Sequence, residues 1–149
     1  MKRLLILVLV LMVAGCAAGN QGNSLKVDAI KGYWVQVEND RNGEVTDLSN
    51  NKYAYLEITD KQIIFHTYYA DTDTSGFSDR FYKLEGNQLY YATKEMVGSD
   101  WKQQIDEYGG VYEVSLENGK LVLLKKMDGD EYEKQTYEVV EVKDWPIKE

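Results

Sequence analysis

From Tyr33 onward, apolar positions recur every second residue rather than every 3.6. That is the period of a strand with one buried face. The runs that carry it are 33–38, 53–59, 62–70, 80–85, 88–96, 111–117, 120–127 and 132–142. They are dense in β-formers and hold most of the 12 tyrosines, side chains that suit a pleated, half-buried surface. Short turn signals separate many of them: Asp60-Lys61, Gly86-Asn87, Asn118-Gly119 and Asp128-Gly129. Only Leu25 to Lys31 has room for a helical turn. Pro146, the one proline, follows the last run and interrupts no ladder.

Tight turns fix register, and register fixes faces. A Gly86-Asn87 turn pairs Leu84 with Leu89 and Tyr82 with Tyr91, so these four share a face. An Asn118-Gly119 turn pairs Leu116 with Leu121 and Val114 with Leu123, on a face shared with Tyr112. Outside it, Glu117 meets Lys120 as an opposite-charge pair. An Asp60-Lys61 turn pairs Ile58 with Ile63, Leu56 with Phe65 and Ala54 with Thr67. Each hairpin gains one apolar face. Eight sequential antiparallel strands without crossover helices predict an all-β fold, an up-and-down meander closed into a barrel. Closure removes the edges that an open meander would expose. Residues 97–110 remain open between a long loop and a ninth strand from Trp101 to Tyr108.

Ahead of this body the pattern changes. Lys2 and Arg3 precede an unbroken apolar run, Leu4 to Ala14. A membrane-spanning helix needs about 20 residues, whereas this length suits the core of a secretory signal. The run ends in Val13-Ala14-Gly15-Cys16, which resembles the lipobox of bacterial lipoproteins. The one cysteine of the chain stands where that resemblance places the acylated residue. It implies a signal peptide over 1–15, a lipidated N-terminus and flexible tether over 16–27, and a folded domain over 28–145. It also implies a bacterial cell-envelope location outside the cytoplasm, with acyl chains such as palmitate on Cys16 as the membrane anchor. Each buried CH2 of such a chain contributes about 0.8 kcal/mol, and two or three chains hold stably. Ala17 to Ser24 spans at most roughly 28 Å when extended.

Charge narrows the partners. The net charge of −8 becomes −10 once Lys2 and Arg3 are removed. Such a surface excludes nucleic acid, whose phosphates need Lys and Arg, and attracts basic proteins or cations. A single cysteine excludes an internal disulfide framework and a cysteine-rich zinc site.

Ile30-Lys31-Gly32-Tyr33-Trp34 opens the first strand, and Gly-x-Trp at that place is similar to the N-terminal signature of lipocalins. Residues 28–143 resemble the short lipocalin-like domains of bacterial lipoproteins. The resemblance implies that Trp34 closes one end of the barrel and that the other end admits a small, often apolar, ligand. One departure stands out: lipocalins pack an Arg of the last strand over that Trp, but 132–142 has none, and Lys134 and Lys143 are the nearest cations.

Candidate chemistry is sparse. His66 is the one histidine, and the register that turns Phe65 inward sends it outward as a surface or rim residue beside Tyr55 and Glu57. The sequence contains no Gly-x-Ser-x-Gly elbow, GxxxxGK or HExxH, so neither enzymatic activity nor a cofactor is expected. Asp71, Asp73, Ser75, Gly76 and Asp79 follow the first half of an EF-hand loop, but position 12 is Tyr82 rather than Glu. They form either a weak calcium site or a polar hairpin loop. The best functional hint is phenolic. Tyr82, Tyr91 and Tyr112 face inward among Leu, Ile and Val, and buried phenols need partners. With Trp34 and Phe65 they make the candidate ligand-binding set.

The expected function is a monomeric carrier or sensor whose barrel binds a small apolar or amphipathic molecule. The alternative is an interaction or inhibitor module that docks a basic protein on its acidic outer surface.

Overall fold

A computed structural model of the chain describes residues 24–147. The expected signal peptide and the expected lipidation site, Cys16, lie outside the described residues. A short helix, α1 (Val27–Ile30), leads into nine strands: β1 (Gly32–Arg41), β2 (Glu44–Asp47), β3 (Ala54–Ile58), β4 (Gln62–Tyr69), β5 (Thr74–Glu85), β6 (Gln88–Ala92), β7 (Gly110–Glu117), β8 (Lys120–Lys126) and β9 (Tyr132–Val139). All pairings are antiparallel. The order is β2-β1-β3-β4-β5-β6-β7-β8-β9, and β1 also pairs β9. Eight strands therefore close into a barrel, and β2 pairs the second half of β1 on the edge whose first half pairs β3.

The three derived registers hold residue for residue. Tyr82 faces Tyr91 and Leu84 faces Leu89. Val114 faces Leu123 and Leu116 faces Leu121. Ala54, Leu56 and Ile58 face Thr67, Phe65 and Ile63. Asn118 and Gly119 take φ of 53° and 79°, the left-handed pair that a two-residue hairpin demands. The inner face forms one core of Ile30, Trp34, Leu56, Ile58, Ile63, Leu89, Val114, Leu121 and Leu123, with Tyr82, Tyr91, Tyr112 and Tyr137. Each large aliphatic buried there contributes about 1.5–3 kcal/mol.

Four details differ from the sequence expectation. The ninth strand is Glu44–Asp47, not 101–108; residues Trp101–Gln104 form a 3-10 turn within a long loop. Strand β5 begins at Thr74 rather than at 80, and β6 and β9 end at Ala92 and Val139. Lys120 pairs with Glu138 at 2.9 Å rather than with Glu117, whose carboxylate accepts the Ser115 hydroxyl at 2.8 Å. Between Gln36 and Glu38 the β1–β9 register slips by one residue. This bulge lets β1 pair β3 with its first half and β2 with its second.

Candidate functional site

The closed end is built by α1 and the starts of β1, β4 and β8. Trp34 is 5% exposed, and its indole N–H donates to the Ile30 carbonyl at 2.9 Å. Ile30 is fully buried, and Leu25 and Val27 pack beside it. Among the described residues, no arginine lies on the last strand. Lys134 pairs in register with Leu124 and Asp40 on the outer wall, and Lys143 binds Glu141 at 2.8 Å. The short helix, through its last residue Ile30, is what holds the Trp34 indole here.

The inner phenols find partners within the protein. Tyr82 donates to the Thr59 carbonyl at 2.7 Å, and burial pushes its hydroxyl up to about 12. Tyr91 and Tyr112 stack with centroids 5.1 Å apart. Burial, and then the neighbouring Tyr91, hold the Tyr112 hydroxyl far above its ordinary value. Gly110 makes room for this pair, because a Cβ there would lie 2.8 Å from the Tyr91 hydroxyl. Tyr137 donates to Gln135 Oε1 at 2.9 Å. Its burial, with Tyr112 and Glu133 nearby, raises it further still. Sequence reasoning missed Tyr137. The β8–β9 connection is longer than two residues, so its Asp128-Gly129 signal fixed no register.

Toward the mouth the same inner face turns polar. Register sets Asn39 opposite Gln135 and Arg41 opposite Glu133, Lys125 opposite Glu133, and, lower on the wall, Arg80 opposite the buried Ile63. Both arginines among the described residues thus lie on the inward side. Arg80 donates to Ser78 Oγ at 2.8 Å and to the Asp79 carbonyl at 2.7 Å. Asn39 Oδ1 is buried, and no donor among the described residues reaches it. Phe65 is partly buried against the core below.

The calcium-loop geometry does not form. Ser75 and Asp79 belong to β5, where four residues span about 13 Å. Asp73 accepts from the Tyr68 hydroxyl at 2.9 Å, and Asp79 accepts from Gln62 at 3.1 Å. Among the described residues, no group of three or more His, Cys, Asp or Glu side chains is placed to hold a metal. His66 is outward, as the register requires, but it is no surface histidine. Its side chain is 10% exposed, because Trp145 folds back over it with ring centroids 5.4 Å apart.

The principal clefts have volumes of 290–610 Å³ and open on the outer wall or rim. Of the five candidate aromatics, Tyr82 alone reaches one, a crevice of about 440 Å³ shared with Val27, Asp60, Leu84, Met96 and Trp101.

No protein-family model matches this chain, and no curated protein matches it in sequence. Solved structures do match its fold. A lipocalin-like protein from Bacteroides uniformis ATCC 8492 superposes with a TM-score of 0.54 at 12% identity, over 75% of this chain and 99% of that one. An uncharacterized protein from Bacteroides eggerthii DSM 20697 gives 0.51 at 12% identity, over 74% of this chain and 98% of that one. The barrel is lipocalin-like.

Proposed function

We propose that this chain is a lipid-anchored, non-enzymatic binding module of a bacterial cell envelope, and that the barrel mouth takes a small amphipathic molecule. The observation that carries the reading is the division of the inner wall. Below, it is aliphatic and closed; above, it holds cationic and amide side chains. Arg41, Arg80 and Lys125 outnumber Glu44 and Glu133 on the inward positions, so an acidic head group fits.

Dodecanoate is the probe. Calorimetric titration of the full-length chain is expected to show saturable binding, weakened about tenfold by Arg41→Gln, since a charge-assisted contact contributes about 1.5–3 kcal/mol. Native mass spectrometry of the protein purified from cells is the companion measurement. Absence of both a retained molecule and dodecanoate binding would remove this reading. Replacing Cys16 with Ser tests the anchor separately, and a variant that stays in the membrane fraction like wild type defeats that part.

A further inference from the structure

The outer wall over β1, β3, β4 and β5 carries a concavity of its own. Register turns Tyr33, Glu57, His66 and Phe77 outward. The chain beyond β9 then folds back, and Trp145 settles 4.7 Å from the Tyr33 ring and 5.4 Å from the Tyr55 ring. Between this strap and the wall lies a cleft of about 610 Å³, within the size range of small-molecule sites.

Three properties define what fits. The walls are aromatic, formed by the rings of Tyr33, Phe77 and Trp145. Among the described residues that line the cleft, Glu57 alone carries a formal charge, and no described lysine or arginine pairs with it. Behind Glu57 sits His66, nine-tenths buried, with Nε2 3.5 Å from the carboxylate. Neither of its ring nitrogens has a hydrogen-bond partner among the described residues. Buried polar atoms are rarely left so. A carboxylate accepts only, and an imidazole carries at most two N–H groups, so Glu57, with His66 Nε2 3.5 Å away, keeps acceptor sites that no described residue fills. They lie inside walls whose ring faces attract cations. An anion is repelled by Glu57, and a neutral apolar molecule leaves the carboxylate and imidazole as they are.

We propose that this cleft is a binding site for a small organic cation, an ammonium bearing N–H donors and an apolar arm. Glu57 takes the charge, His66 takes a donated proton in a hydrogen bond, and Tyr33, Phe77 and Trp145 enclose the arm. The site is separate from the barrel mouth and stands whether or not the mouth binds anything.

The chain has a single histidine, so imidazole carbon–proton resonances report on His66 alone. The experiment titrates 2-phenylethylammonium into the full-length chain in detergent micelles at fixed pH, with phenylacetate as an anion of similar size. A saturable shift of the His66 signals is expected with the cation and none with the anion. Glu57→Gln should weaken the cation about tenfold. Phe77 is 72% exposed, so Phe77→Ala leaves the fold intact and should weaken the cation about threefold. Unchanged far-ultraviolet circular dichroism certifies both variants. No saturable shift up to about 10 mM, equal binding of phenylacetate, or an unaltered affinity in Glu57→Gln each overturns the proposal.

Discussion

At one end of the barrel the inner wall is Ile30, Trp34, Leu56, Ile63, Leu89 and Leu121, none more than 5% exposed. At the other end the same strands turn Asn39, Arg41, Lys125 and Glu133 toward the lumen. Both ends obey a period of two, interrupted in β1 by the bulge between Gln36 and Glu38. Only the chemistry of the inward residues changes, and it does so within single strands: Trp34 and Arg41 lie on one strand, as do Leu121 and Lys125. The closed end is where burial stabilises the molecule. The mouth contributes little to that and is free to carry specificity. Strand β8 thus encodes a stable floor and a polar rim without altering its backbone, whereas in β1 a bulge separates the two.

The largest effect that sharpens this contrast is alkaline unfolding. The Tyr82 hydroxyl lies at about 12 in the folded protein against an ordinary 10.0, and burial raises those of Tyr112 and Tyr137 as well. The folded state therefore holds protons that the unfolded chain releases from about pH 10 upward. Their contribution to stability is complete below pH 10 and is lost as pH climbs through the folded values. Phenolate absorbance at alkaline pH is expected in two phases, the later one coinciding with loss of near-ultraviolet circular dichroism. A single phase near pH 10 with the fold intact would mean that these phenols are open to solvent.

Next in size is Leu123→Ala. Leu123 is fully buried, and its truncation should cost roughly 2–5 kcal/mol in urea unfolding. The smallest effect belongs to Glu113→Ala, on the outer face of the adjoining strand. Its ion pair with Lys126, 2.7 Å long, joins side chains 43% and 67% exposed, and such surface pairs contribute about 0–1 kcal/mol. A change within about 0.5 kcal/mol is expected. Comparable losses in the two variants would erase the distinction between lumen and exterior.

What the sequence made legible follows the same divide. Where a two-residue turn joined strands with a buried face, as at Gly86-Asn87 and Asn118-Gly119, register and lumen residues could both be read directly. Strand β2 was missed because all four of its residues are exposed and no apolar alternation marks it. Asn42-Gly43, with φ of 56° and 87°, carries the same hairpin signal as Asn118-Gly119 and would have revealed it. The first half of β5 is exposed for the same reason, and its polar run read as a loop. The mouth residues Asn39, Gln135 and Glu133 were invisible because a bulge and a longer connection shift their parity. His66 was placed on the correct face but given the wrong environment. Nothing local says that Trp145, nearly eighty positions later, returns to cover it.

The way the chain enters and leaves has a consequence for orientation. Leu25 N–H donates to the Gly86 carbonyl at 3.0 Å, and Val140 N–H donates to the Tyr33 carbonyl at 2.8 Å. The N-terminal approach and the exit from β9 therefore share the floor of the barrel, while the ten residues of β1 carry the wall about 33 Å away to Arg41. On the proposed anchoring through Cys16, the chain would reach the barrel at its floor, and a hydrophobic guest released from the membrane would have to travel the height of the wall to reach the rim.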